Sequence, residues 1–325
     1  MFMRFFATAL AALSVSGALA QSPATRPLQI VVPFAPGGFV DAVGRMLSEG
    51  LSKSLGQPVV VINQPGANGT VAANNVSRAS ADGNTVLLAS VSILAISPHL
   101  YKTITYDPLT DFEPIGQIVT TSNTIVVNPS SGIRSMKDLV DRARARQNTV
   151  SYGSTGAGSI QHLVGEMVQQ QGNVQLLHVP YKGVAPAVVD LLGGTLTFMY
   201  ADATSLPMIR AGTLLALAAS PQKIEEFPNL LPISQALEQG GVPNFVAPGI
   251  WYGLLAPKGT TPEIVAKLNA ALTETLRRPD VRQKLIAAGA IPTEGGTSAA
   301  FASMIRADHD RYKTLIKAFN ITVQE

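Results

Sequence analysis

The hydrophobic pattern opens on a short run, Leu28, Ile30, Val31 and Val32, apolar and rich in β-branched residues, of the kind buried in parallel strands. Pro33 and Pro36 end it, and the Gly37-Gly38 pair frees the backbone for a tight turn. Val43, Met46, Leu47, Leu51 and Leu55 then recur at helical spacing, so one face of a helix is apolar. The same order returns. Residues 58–62 predict a second buried strand, 63–70 a glycine turn, 71–79 a helix, and Thr85–Ser90 a third strand after Asp82-Gly83. Alternation of this kind predicts an α/β fold with a mostly parallel sheet. Residues 90–97 then fall on the same rim as Gly37-Gly38.

Further along, 106–114 is polar and proline-bearing and predicts a loop. The run 115–127 is long and β-rich but interrupted at Thr120-Thr121-Ser122-Asn123, as expected of a segment crossing between lobes. A helix with a basic outer face is predicted at 135–146. The opening unit then recurs: strand 149–152, a glycine-hydroxyl loop at 153–159, and a helix at 160–171 with Ser159 placed to cap it. Strands at 174–179, 196–200 and 214–219 and a short helix at 185–192 follow, with Asp202 at the carboxyl end of the 196–200 strand. Residues 249–256 are apolar and suited to carry the chain back, and helices at Pro262–Arg277, 280–288 and 297–319 close it. The division expected is a leader at 1–20, one lobe from 21–124 and 249–325, and a second from 125–248.

Composition narrows the class. The 325 residues are 46% hydrophobic and 14% charged, enough for a large folded core. The net charge of +3 is scattered rather than striped, which argues against a nucleic-acid partner. With no cysteine there is no disulfide, thiolate metal site or thiol catalysis. Residues 1–20 read as a cleaved secretory signal: Arg4 precedes an apolar run, and Ala18-Leu19-Ala20 makes the cleavage site. No later stretch is long and apolar enough to span a bilayer. The mature chain is expected to be exported and not membrane-inserted.

The glycine-turned helix starts suggest chemistry. Free N–H groups at a helix start, beyond a strand's carboxyl end, suit a carboxylate or phosphate. The candidate contacts are Phe34, Pro36, Gly37, Gly38 and Phe39 with Ser90 and Ser92 in the first half, and Ser154, Thr155, Gly156, Ser159, His162, Lys182, Gly183 and Asp202 in the second. Asp41 is expected to orient the loop rather than meet an anion it would repel. His162, in the first turn of its helix, is expected to be neutral. Lys182 reads as a neutralising rim charge or a plain surface lysine, and Asp202 as a tie for loop backbone or an acceptor for a ligand amine or hydroxyl. His99, His178 and His309 lack metal spacing and read as structural, Trp251 as core or hinge packing. No dinucleotide fingerprint or nucleophile elbow is present; Ser154 with His162 is the one pair a hydrolase could use.

Several motifs together carry a resemblance: Pro33-Phe34-Ala35-Pro36-Gly37-Gly38 with Asp41, Asn63 with Pro65-Gly66-Ala67, and Tyr152-Gly153-Ser154 with Gly156, Gly158, Gln161 and His162. To these add His178-Val179-Pro180-Tyr181-Lys182-Gly183, Asp190-Leu191-Leu192-Gly193-Gly194, Asp202 and Gly253-Leu254-Leu255-Ala256-Pro257. The chain resembles the Bug-type periplasmic solute-binding receptors of tripartite tricarboxylate transporters, over about 27–320. The resemblance implies a type II periplasmic binding fold of two α/β lobes, a small carboxylate ligand between them, no cofactor or metal, and docking of the loaded monomer on membrane permease subunits. Citrate-like acids, dicarboxylates, acidic amino acids and aromatic acids are the ligands implied. Phe39 departs from the small or hydroxylated residue usual there, which suggests a ligand with an aromatic or apolar body. A receptor presenting its ligand to a sensor kinase and an exported serine hydrolase are the alternatives.

Overall fold

The computed structural model describes residues 26–220, 224 and 226–322; the expected leader lies outside them. Strand β1 (Leu28–Val32) leads into helix α1 (Phe39–Leu55), then β2 (Val59–Asn63), α2 (Thr70–Ser77) and β3 (Thr85–Ser90). After a π-helical turn at Ser92–Ile96, β4 (Phe112–Thr121) ends one residue before β5 (Asn123–Val127) begins. Helix α3 (Met136–Ala145), β6 (Ser151–Ser154), α4 (Ile160–Gly172), β7 (Leu177–Pro180), α5 (Val184–Leu192), β8 (Phe198–Ala201), α6 (Leu206–Arg210), β9 (Leu215–Ser220) and α7 (Ile233–Gln239) follow. The chain closes with β10 (Ile250–Pro257), α8 (Pro262–Arg277), α9 (Pro279–Ala287), β11 (Ala290–Pro292) and α10 (Ser298–Ala318).

The strands form two sheets, ordered β11-β4-β10-β3-β1-β2 and β7-β6-β8-β5-β9. Ser122 is the single residue between them on the way out, and the polar interruption at 120–123 marks this crossing. On the way back β10 inserts between β3 and β4, antiparallel to both, and all eight of its residues are buried. The sheets are mixed rather than mostly parallel. β1 pairs with β2 and β3, and β6 with β7 and β8, in parallel, but every pairing of β10, β11, β5 and β9 is antiparallel. The parallel part is the part built by βα units; the strands that shuttle between halves run against it.

β2 is also not the buried strand its composition predicts. It is an edge, and Val60 and Ile62 stay 39% and 37% exposed while Val59 and Val61 pack inward. Residues 112–114 belong to β4, not to a loop. The second-half strands begin two or three residues later than their apolar runs suggest. Helices α6 and α7 and strand β11, which carry short or weakly periodic sequences, are additional elements. Trp251 is core, as its apolar surroundings suggest: its Nε1 donates to Asp308 Oδ2 at 2.6 Å, and its ring meets Phe301 edge-on at 5.4 Å.

Candidate functional site

The turn after β1 is held from below. Asp41, in the first turn of α1 and 4% exposed, accepts from the Gly37 N–H at 3.0 Å and from Arg45 Nε at 3.0 Å, and its other oxygen accepts from Asn63 Nδ2 at 2.9 Å. Asn63 Nδ2 also donates to the Phe34 carbonyl, so the end of β2 staples the turn that follows β1. Burial alone would raise the Asp41 pKa; its bonds to Arg45, Gly37 and Asn63 outweigh that and hold it below the ordinary value. Gly37 sits at φ +85°, a left-handed conformation that a side chain would strain. Helix α1 then starts at Gly38, and no side chain caps its amides. Helix α5 starts in the same way at Gly183, again with no side-chain cap.

Both uncapped starts open onto one cavity of about 330 Å3. From the first half its wall comprises residues 34–40, Asn68, Ser90, Ser92, Ile250 and Tyr252. From the second it comprises Asn123, Thr155, Ile160, Gln161, residues 182–186 and Asp202. The lining is mainly apolar: Phe39 is 4% exposed and tilts on the Tyr252 ring at 5.6 Å. Three buried polar atoms on this wall have no protein partner: Ser90 Oγ, Asn68 Oδ1 and Asn123 Nδ2. A larger depression of about 710 Å3 runs along β9, past Arg134 and Glu226, and gathers neither glycine turn.

Of the residues expected at the site, the cavity wall therefore includes Phe34, Pro36, Gly37, Gly38, Phe39, Ser90, Ser92, Thr155, Lys182, Gly183 and Asp202. Asp41, Ser154, Gly156, Ser159 and His162 lie outside it. Asp41 positions the first turn, as described. Ser154, Gly156 and Ser159 belong to the 153–159 loop and His162 to the first turn of α4, and their polar groups are taken up within their own half. Ser159 caps α4 by accepting from the His162 N–H at 3.3 Å. His162 Nδ1 accepts from the Gly158 N–H at 3.2 Å. Ser154 Oγ is 2.6 Å from His178 Nε2, so the serine's imidazole partner is His178, not His162. The two imidazoles stack at 4.4 Å, with Tyr152 on the far face of His178 at 4.9 Å. Burial lowers their pKa values, to about 3 for His162, with the neighbouring His178 contributing, and to about 4 for His178. Neutral rings are what a hydrogen-bond acceptor at Nδ1 requires.

The same loop touches the first half directly. Tyr101 OH donates to the Ala157 carbonyl at 2.5 Å, and the Ile160 N–H donates to Ser92 Oγ at 3.2 Å. Gly158, at φ +72°, lies so close to Tyr101 that a Cβ there would be 2.7 Å from the ring. Among the wall residues that sequence reasoning passed over are Asn68, Asn123, Gln161, Ile250 and Tyr252. Asn123 had a signal, a polar residue breaking a β-run; Tyr252 had none, since it lies on a strand with no turn motif. Among the described residues, no three His, Asp or Glu side chains converge as a metal site, and no helix is long and apolar enough to cross a membrane.

Comparison with known proteins agrees with this architecture. The family model of the tripartite tricarboxylate transporter family receptor matches residues 43–321. The chain is 38% identical over 294 residues to Protein BugT of Bordetella pertussis, spanning 89% of this chain and 87% of that one. It superposes on an R. palustris protein solved with adipate with a TM-score of 0.85, 33% identity and coverage of 92% and 98%. MatC from Rhodopseudomonas palustris with bound malate matches with a TM-score of 0.82, 27% identity and coverage of 90% and 99%. The two-sheet α/β architecture is that of two-lobe periplasmic binding proteins.

Proposed function

The chain belongs to the tripartite tricarboxylate transporter receptor family, and from that premise we propose that it captures a small organic acid in the cavity between its two halves and delivers it to membrane permease subunits. The observation that carries this reading is the pair of uncapped helix starts, at Gly38 and Gly183, one from each half and both on the wall of one cavity. Helix N-termini carry partial positive charge and unpaired N–H groups, so together they suit a carboxylate. Ser92, Thr155 and the Lys182 side chain supply further donors on the same wall. The proteins solved with adipate and malate support an acid as the ligand class.

The apolar remainder of the wall favours a ligand with an aliphatic or aromatic body, with Phe39 and Tyr252 as the packing surface. The lobes divide at Ser122, where the chain passes from β4 to β5, two residues before the expected boundary, so Asn123 belongs to the second lobe. Closing them around the ligand requires that it bind the closed form better than the open one. The mature chain is exported by its leader to the periplasm and works there as a monomer. It binds without catalysis: Ser154 Oγ is buried against His178 and the Gly156 backbone, away from the cavity.

Self-capping tests the carrying observation. The extended backbone at Gly183 and the open space around both Gly38 and Gly183 admit a side chain without a clash. Gly38→Asp and Gly183→Asp would each cap their helix, leaving stability unchanged or raised by a few tenths of a kcal/mol. Each would also set a negative charge against the ligand. Calorimetry with a panel of aliphatic and aromatic acids should show affinity reduced by about a hundredfold or more in both variants, as loss of charge-assisted bonds worth about 3 kcal/mol implies. Unchanged affinity in both would end the proposal.

A further inference from the structure

The cavity assigned to an acid contains a carboxyl group of its own. Asp202 directly follows β8 and is 8% exposed. One of its oxygens, Oδ1, caps the turn that follows, accepting from the Thr204 N–H at 3.1 Å and from Thr204 Oγ1. Among the described residues, the other oxygen, Oδ2, has no hydrogen-bond partner and no cation facing it, although the residue lines the cavity. β5 contributes Asn123 and Thr124, the 203–205 turn Thr204 and Ser205, and β10 the Tyr252 phenol. The α1 start contributes Phe39, whose helix-mate Asp41 is turned to Arg45, and the turn at Gly289 packs against Ala203. Arg210, on α6, is paired with Glu226. Lys182 shares the cavity wall but is an exposed side chain.

The nearby side chains with a donor to offer are the Asn123 amide and the Tyr252 phenol, since Ser205 Oγ is spent on the Asp202 carbonyl and the Thr204 donors on Oδ1. Thr124 pairs with Ala201 across the β5–β8 ladder, so Asn123 stands opposite Asp202. Its Oδ1 is engaged by Thr121 Oγ1 at 3.0 Å, which leaves Nδ2 as an unpartnered donor. A ligand ammonium would meet these donors unfavourably; a carboxylate would accept from them. An ionised Asp202, only 8% exposed, would repel that carboxylate at short range, where solvent screens it little. Resting on the acid-receptor reading, we propose that Asp202 is the neutral acid in the loaded receptor and donates from Oδ2 to a second carboxylate of the ligand, so that capture of a dicarboxylate takes up one proton from solvent.

The Thr204 bonds decide where the proton goes. Oδ1 must stay an acceptor to keep the cap, so the proton resides on Oδ2, where it bridges two carboxyl groups that cannot both be charged. Burial pushes the Asp202 pKa up, and only the two bonds from Thr204 pull the other way. Binding an anion raises it further. Affinity therefore falls as pH rises above the pKa of the free receptor, by up to about tenfold per pH unit, because the bound state holds the extra proton.

The test uses the full mature receptor and five probes: succinate, adipate, suberate, hexanoate and 6-aminohexanoate. Titration calorimetry between about pH 6 and 8, where ordinary carboxylates near pKa 4 are fully ionised, is run in buffers of different ionisation enthalpy. The expected result is net proton uptake with the tightest diacid and none with hexanoate. Asp202→Asn keeps an acceptor for the Thr204 cap and puts a permanent donor where the acid's O–H was. It should bind that diacid without pH dependence, and at pH 8 at least as tightly as the parent. Diacid binding without proton uptake, loss of diacid binding in Asp202→Asn, or preference for 6-aminohexanoate over every diacid each overturns the proposal. Binding of hexanoate alone also overturns it while leaving the acid-receptor reading standing. If none of the five binds at either pH, that reading falls first.

Discussion

The two glycine turns, at Gly37-Gly38 and at 153–159, look alike in sequence and do opposite things with their backbone. Both follow a β-strand and precede an apolar-faced helix. The first is clamped from behind by Asp41, Asn63 and Arg45, so its helix start is left uncapped on the cavity wall. The second is spent on its own half and on the opposite lobe: Ser159 takes the His162 amide, His162 takes the Gly158 amide, and Ser92 takes the Ile160 amide. The open helix start in the second half is instead α5, after Lys182-Gly183. A loop's role thus follows from where its amides are already committed, and that depends on partners far away in sequence.

The sharpest way to break this contrast is acid. His162 and His178 have pKa values lowered to about 3 and about 4, against an unfolded value near 6.5. The unfolded chain binds more protons than the native one between those limits, so stability falls as pH drops below about 6.5, by up to about 1.4 kcal/mol per pH unit for each histidine. The clamp at Asp41 loses stability in the same direction but in a lower pH window. Its folded pKa is depressed, so its contribution is present above about pH 4 and lost only below it. Thermal melts from pH 7 to 5 should show a steep loss of stability, with the Gly158 and Ile160 amides exchanging before the Gly37 amide. A flat melting temperature over that range would refute the buried, neutral pair.

The clamp itself can be cut. Asp41→Ala leaves the Gly37 N–H and Asn63 Nδ2 short of an acceptor in a buried place, a loss of about 2–3 kcal/mol. The first turn then loses its shape, and ligand affinity should fall by one to two orders of magnitude along with stability. Asp41→Asn retains an acceptor for Gly37 but not the charge on Arg45, and should cost less than half as much. If Asp41→Ala bound as tightly as the parent, the first turn would not need its support.

Gly165 sharpens the comparison from the packing side. A Cβ there would lie 2.2 Å from Tyr152 Cε2, against a ring that is itself wedged on His178 and Phe198. Gly165→Ala should destabilise by about 1–3 kcal/mol through overpacking, partly offset by the better helix propensity of alanine. Chemical denaturation would read this. Ligand affinity measured well below the melting range should change far less than in Asp41→Ala, because the loop behind Gly165 is not the one with the open helix start.

How much of this was legible in the residues differs between the halves for a physical reason. β1, α1 and β3 are local: a β-branched run, a glycine turn and a helical stripe specify them, and the structure has them where the pattern puts them. The run 115–127 was legible as a crossing because a polar tetrad interrupts an apolar run; that β4 starts at 112 was not. What stayed hidden depends on long-range pairing. Nothing local says that β2 is an edge, that β10 returns antiparallel between β3 and β4, or that it brings Tyr252 to the cavity. The serine-histidine pairing failed for the same cause: Ser154 and His162 are near in sequence, but strand β7 lies beside β6 and brings His178 closer.

The smallest effect expected is also the one that separates a loop that holds ligand from a loop that holds the lobes together. Tyr101 OH donates to the Ala157 carbonyl across the cleft, and Tyr101→Phe removes that bond while keeping the ring against Gly158. The carbonyl is left partly exposed to water on opening, so the net cost is about 1 kcal/mol, or about a fivefold change. A bond that ties one half to the other stabilises the arrangement in which the halves meet, so its loss falls on the closed, ligand-holding state. Ligand dissociation should therefore quicken by about fivefold with little change in association, because interface losses act mainly on the off-rate. Stopped-flow kinetics reads both constants. A slower association with unchanged dissociation would mean that the 153–159 loop meets the ligand before closure, and the contrast between the two turns would vanish.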